Sequence, residues 1–308
     1  MTAPARRPRA SAALPTLALP TLALTALLLT GCSASASTSG TASDAALTVA
    51  ASFYPLEYVA EQVGGDLVAV TTLTPAGVEP HDIELSPAVV RSLSNADLVL
   101  YIGGFQPAVE DALDATGAPG FDATNTYSPL SVDEDPSATA DPHFWLDPAL
   151  MSSYSQAIAD QFAALDPAHA DTYRANAEHL QTDLSALDAT FTTGLAQCER
   201  RDLITAHQAF GYLAHAYGLN QIGIAGIAPD SEPSPARLRQ IAQLVTDTGA
   251  TTVFTEALVS PRVAQAIAQD AAVSTAVIDP VESVSGSDDY LTVMQRNLAV
   301  MRQALGCQ

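Results

Sequence analysis

Beyond residue 47 the chain alternates between two hydrophobic rhythms. A short apolar run at 47–51 leads through Phe53-Tyr54-Pro55 into a helical stretch that ends at Val63, where Gly64-Gly65 stops it. Residues 67–73 form the next strand candidate, and 87–96 reads as a helix with Ser86 as cap and Pro87 in its first turn. A buried strand at 98–102 ends in Gly103-Gly104. Strands and helices in turn predict a parallel sheet covered by helices. Over 115–141 the rhythm lapses into Gly, Pro, Ser, Thr and acids, which predicts a loop. It returns at Asp147-Pro148, a helix start, and continues through Met151, Tyr154, Ile158, Phe162 and Leu165.

Asp166-Pro167 opens a second, longer helix. Its apolar positions, Tyr173, Ala177, Leu180, Leu184, Leu187, Phe191 and Leu195, step by threes and fours. At 1.5 Å per residue such a helix spans about 45 Å, more than one small lobe can cover. Past Cys198 the alternation restarts. Strands are expected at 202–205, 251–255 and 275–278, with an extended stretch at 221–227. Helices are expected at 209–217, after Ser234-Pro235 and after Ser260-Pro261. The stretches "VAASFYPLEYVAEQVGG" and "ITAHQAFGYLAHAYGL" echo one another as strand, aromatic turn, helix and glycine. The expected fold is α/β with two lobes, 47–165 and 198–308. Each is a parallel sheet flanked by helices, and one long rigid helix at 166–197 joins them. A single large domain carrying one long helix is the alternative.

The first 46 residues follow other rules. Arg6, Arg7 and Arg9 precede a mostly apolar run and then Leu29-Thr30-Gly31-Cys32, a secretory signal over 1–32. Cysteine directly after Leu-Thr-Gly resembles the bacterial lipobox, in which the thiol is lipidated. A plain signal peptide or a broken membrane helix is the alternative. Acyl chains on Cys32 would hold the chain to the outer face of the cell membrane by burial of their methylenes. Residues 33–46, "SASASTSGTASDAA", offer nothing to bury and read as a flexible tether. No later stretch is apolar and long enough to span a bilayer.

Charge excludes several classes. All 12 basic residues are arginine, against 34 acids, and loss of 1–32 takes the net charge from −22 to about −25. So acidic a chain lacks the cations that phosphate contacts need, so nucleic acid is excluded as a partner. Without lysine there is neither a Walker A loop nor a pyridoxal Schiff base. With Cys32 assigned to lipid, Cys198 and Cys307 remain, and outside the cytoplasm two cysteines favour a disulfide over a metal pair.

The chemistry points to histidine. Of six, His169 and His179 read as solvated positions of the long helix, and His215 as packed or exposed. His81 in "GVEPHDIELSP", His143 in "DPHFWLDP" and His207 after strand 202–205 each sit in a connection, where α/β folds bind ligands. Asp279, after the last strand and followed by Pro280, completes the set. Two residues from each lobe place a shared site in the cleft, and three imidazoles with one carboxylate suit a tetrahedral divalent metal. Prolines beside His143 remove conformational freedom that binding would otherwise have to freeze.

The segments "EPHDIELSP", "DPHFWLDP", "TAHQAFGYLAHAYGL" and "SEPSP…FTEALVSP…IDP" resemble the zinc/manganese substrate-binding proteins of bacterial ABC importers, the cluster A-I or TroA-like family, across 47–307. The resemblance implies two lobes, a rigid connecting helix and one metal site whose ligands map onto His81, His143, His207 and Asp279. It also implies Zn²⁺ as the captured ion, since zinc members carry histidine at position 207 and manganese members a carboxylate; imidazole suits zinc. The partners it implies are a membrane permease and its separate ATPase, with the chain acting as a lipid-anchored monomer. A Mn²⁺ receptor of the same family is the alternative. From another class, a secreted zinc hydrolase would need an open coordination position and a base, for which Glu256 is the candidate. Many zinc members have a histidine-rich loop before the second ligand. Here 115–141 has no such histidines and carries Asp122, Asp133, Glu134, Asp135 and Asp141, which keep the loop solvated or raise the local cation concentration.

Overall fold

The structure, a computed structural model, describes residues 45–130 and 140–308. Cys32, with the signal and nearly all of the tether, lies outside the described residues, as do Asp133, Glu134 and Asp135.

The N-terminal part contains β1 (Leu47–Ala51), α1 (Tyr54–Gly64), β2 (Val68–Thr72), α2 (Pro87–Leu93), β3 (Leu98–Tyr101), α3 (Pro107–Thr116), β4 (Gly120–Asp122) and α4 (Pro148–Leu165). Then come α5 (Ala170–Leu195), β5 (Asp202–Thr205), α6 (Gly211–Tyr217), β6 (Asn220–Gly223), α7 (Pro235–Thr248), β7 (Thr252–Thr255), α8 (Arg262–Asp270), β8 (Ser274–Val277) and α9 (Tyr290–Leu305). The strands form two parallel four-stranded sheets with one topology, β2-β1-β3-β4 and β6-β5-β7-β8. The repeated order gives the sequence echo its structural meaning: β1–α1 and β5–α6 are the same unit.

Three elements depart from the expected pattern. The stretch 115–141 is not loop throughout, because it finishes α3 and supplies β4, the edge strand beside β3. α3 buries only Val109 and Ala112, too narrow a stripe to stand out. α9 has a full stripe (Tyr290, Val293, Met294, Leu298, Met301, Leu305) and closes the C-terminal sheet.

α5 has 26 residues, about 39 Å at 1.5 Å per residue. Its apolar stripe from Tyr173 to Leu195 is buried, and its other faces are polar. One apolar cluster runs along it, joining β1, α1 and α4 to Leu203, Phe254 and α9. The outer faces of the two sheets have smaller clusters of their own, one with Leu93, Val99 and Val109, the other with Ile204, Ile241, Val253 and Ile267. Just past α5, Cys198 is bonded to Cys307 at a sequence separation of 109. The Arg201 guanidinium donates to the carbonyls of Leu195 (2.9 Å) and Ala196 (2.8 Å), satisfying orphan acceptors at the helix end.

Candidate metal centre

The carboxyl ends of both sheets face one buried point, and four connections reach it. His81 lies in the connection after β2. Gln106, itself buried, donates its amide to the carbonyl of Pro80 (3.0 Å) and to Thr74 Oγ1 (3.1 Å). Glu79 accepts from the His81 backbone N–H at 3.1 Å, and the Phe105 ring stands edge-on to the imidazole at 4.6 Å between centroids.

His143 is aimed by the residue two before it. Asp141 Oδ1 accepts from the His143 backbone N–H (2.9 Å) and from its Nδ1 (2.7 Å). A carboxylate can only accept, so the proton sits on Nδ1 and Nε2 is left for an ion. Tyr212 of α6 donates its hydroxyl to the carbonyl of Asp141 (2.9 Å), and a Cβ on Gly211 beside it would run into Asp141 Oδ2. The acids of 115–141 therefore include one that works inside the molecule.

His207 follows β5 directly. Thr205 Oγ1 (2.6 Å) and Gln221 Nε2 (3.1 Å) donate to its carbonyl, while Glu256, at the end of β7, accepts from its backbone N–H (3.2 Å) and from Nδ1. Again Nε2 is the free nitrogen.

The fourth group is a carboxylate, but it is not that of Asp279. Asp279 Oδ1 accepts from the Val281 backbone N–H (2.8 Å), and its main chain is clamped by Asn297 at 2.9 and 2.6 Å. That turn puts Val281 at φ 59, a left-handed conformation unusual for a β-branched residue, and delivers Glu282 instead. Glu282 is 1 % exposed. Its Oε1 lies 3.7 Å from His81 Nε2, 3.7 Å from His143 Nε2 and 3.8 Å from His207 Nε2. None of the three Nε2 atoms, nor either Glu282 oxygen, has a hydrogen-bond partner among the described residues, though all are buried.

Leaving five buried polar atoms unsatisfied is costly unless a ligand completes them. Donors about an ion at 2.0–2.1 Å would stand roughly 3.3–3.4 Å apart in a tetrahedron, so the three Glu282–imidazole distances need shorten by only a few tenths of an ångström to suit zinc. His81, His143, His207 and Glu282 could hold a metal together. Electrostatics agree with a site built to be filled. Burial pulls the His81 pKa down. For His143 burial acts the same way, but the bond to Asp141 and the nearby Glu282 carboxylate outweigh it and hold the pKa at about 9. Burial pushes Glu282 up, yet His143 and His81 bring it down to about 2.

The remaining histidines stay apart. His169 pairs with Asp166 at 2.6 Å, and His179 and His215 are exposed. Sequence reasoning missed Glu282 and the orienting roles of Asp141 and Glu256. Glu256 is no free base, because it is bonded to His207. At the rim, Glu79, Asp82 and Asp230 form a negative patch.

The family model for the zinc-uptake complex component A, periplasmic (ZnuA), matches residues 49–304. The chain is 32% identical over 280 residues to the zinc-binding lipoprotein AdcA of Streptococcus pneumoniae serotype 4, covering 84% of this chain and 56% of the relative. It therefore spans little more than half the length of that relative. It is 30% identical over 291 residues to the high-affinity zinc uptake system protein ZnuA of Bacillus subtilis, covering 87% of this chain and 91% of the relative. A mutant structure of the laminin-binding adhesin Lmb from Streptococcus agalactiae superposes with a TM-score of 0.79 at 32% identity, over 84% of this chain and 99% of that one. Its solved neighbours thus share the two-lobe fold, and its relatives are named for zinc binding and zinc uptake. By the extent of the family match and the identity to these relatives, the chain belongs to the ZnuA family of periplasmic zinc-uptake components.

Proposed function

We propose that this protein captures Zn²⁺ outside the cytoplasmic membrane at His81, His143, His207 and Glu282 and delivers it to the permease of an ABC importer driven by a separate ATPase. The observation that carries the reading is the convergence of three buried, unpartnered Nε2 atoms on one buried, unpartnered carboxylate. Three imidazoles favour zinc over manganese, which prefers oxygen ligands. Nδ1–H bonds from His143 to Asp141 and from His207 to Glu256 fix the tautomer of each ring and hold it at one angle, with Nε2 facing the site. Lipid on Cys32 keeps the receptor beside its permease, with 33–46 as tether. Because α5 is packed into a core shared by both sheets, release proceeds by local displacement of the connections around the site rather than by wide rotation of the lobes.

Elemental analysis of the protein beginning at Cys32, with competitive titration of Zn²⁺ against Mn²⁺, tests the reading. One bound zinc that excess manganese does not displace is expected. Stoichiometric manganese in its place, or no metal at all, would overturn it.

A further inference from the structure

Trp145 is the only tryptophan of the chain, and it is fully buried. It belongs to the segment that carries His143, and its ring centroid lies 5.0 Å from that imidazole. On its other sides it packs against Phe53 at 4.8 Å and against Phe105 at 5.8 Å, the same Phe105 that stands against His81. Its indole N–H crosses to the other half of the molecule and donates to the carbonyl of Pro280 at 2.7 Å. Tyr290 of α9 returns the connection, donating its hydroxyl to the Trp145 carbonyl at 2.6 Å.

Pro280 is the residue before the left-handed Val281, and Glu282 comes next. A β-branched residue holds φ 59 only where its surroundings over-determine the turn. Asp279 and Asn297 supply restraints from within the C-terminal lobe. Trp145 supplies one from the segment that carries His143.

We infer that Trp145 is a positioning residue for the metal site: its indole N–H, through Pro280, keeps the Glu282 carboxylate among the three imidazoles before the ion arrives. This rests on the zinc-capture reading above. A ligand already in place costs less ordering when the ion binds, and an outer contact of this kind typically changes metal affinity ten- to hundredfold.

The test is a coupling measurement on the full protein. Zn²⁺ affinity is measured by competition with a chromophoric chelator for Trp145→Phe and Glu282→Gln, alone and combined. Because Trp145→Phe also leaves a gap in the core, a second protein carries benzothienylalanine at position 145, the same bicycle with sulfur in place of N–H. Loss of the N–H is expected to weaken zinc about tenfold when Glu282 is present and by less than about twofold in the Glu282→Gln background. The d–d absorption of the Co²⁺-loaded protein should change in the same direction for both Trp145 replacements. Equal losses in both backgrounds, or no loss with benzothienylalanine, would overturn the inference while leaving zinc capture intact. Unchanged zinc affinity of Glu282→Gln alone would instead overturn the ligand set, and the inference with it.

Discussion

In the C-terminal lobe, the ligand His207 stands two residues past β5 and is oriented by Glu256, the residue after β7. In the N-terminal lobe, His81 and His143 lie well past the ends of β2 and β4 and are held by side chains: Gln106 and Glu79 for one, Asp141 and Tyr212 for the other. The sheets have the same strand order, yet His207 is set close behind its strand, whereas His81, His143 and Glu282 stand farther out in connections held by side chains. Their cores do not separate them, because both sheets share the large cluster along α5 and each outer face has a small cluster of its own. The covalent closure does, because the disulfide spans the C-terminal lobe.

This contrast can be broken at its strongest point first. Replacing Cys198 and Cys307 with serine removes a closure of 109 residues, and loop entropy sets the loss at up to about 4–5 kcal/mol of unfolding free energy. Chemical denaturation should show it, with hydrogen exchange accelerating in β5–β8 and little changed in β1–β3. Uniform acceleration would mean that the lobes do not differ in this way.

Next come the ligands. Glu282→Ala should weaken Zn²⁺ by more than the roughly hundredfold upper range of outer contacts. Asp279→Asn keeps an oxygen for the Val281 N–H and should stay within about twofold of the parent protein. Calorimetric titration distinguishes the two, and the reverse order would restore Asp279 as the ligand.

A smaller effect compares the orienting acids. Asp141→Asn should cost toward the upper end of roughly ten- to hundredfold, since His143 has no strand to hold it, and Glu256→Gln toward the lower end. Equal losses in competition titrations would erase the distinction between a ligand set close behind a strand and one carried farther out.

The last effect is with pH. The His143 pKa of about 9 in the folded protein lies above its unfolded value, so its contribution to stability is full below about 6.5 and disappears as pH rises through 9. Zinc needs Nε2 without its proton, so the ion displaces that proton. Affinity should therefore rise about tenfold per pH unit between about 7 and 9 and then level off. A flat profile over that window would show His143 neutral before zinc binds.

Much of this was legible beforehand. Alternating periods reveal the β/α order, the α5 stripe reveals the long helix, and His81, His143 and His207 stand out because each sits in a connection rather than on an apolar face. The structure brings these three together. Asp279 misled because an Asp-Pro after a strand looks like a presented carboxylate. Its side chain is used to build the turn, and the group delivered is three residues on. The signal for Glu282 was a lone acid set between Val281 and Val284 ahead of a Ser-Gly turn, faint against so many solvated acids. Asp141-Pro142-His143 had a clearer one: proline lets a carboxylate fold back on the residue two ahead. α9 had a regular apolar stripe, whereas α3 and β4 are too short for periodicity to separate them from loop.

The bond between Cys198 and Cys307 has a mechanical consequence. It sets both ends of the C-terminal lobe at one spot, beside the end of α5. A pull exerted from beyond Gln308 then travels through sulfur into the helix and bypasses strands β5 to β8. Whatever is attached there can tug on the molecule without unravelling the half that holds His207 and Glu282.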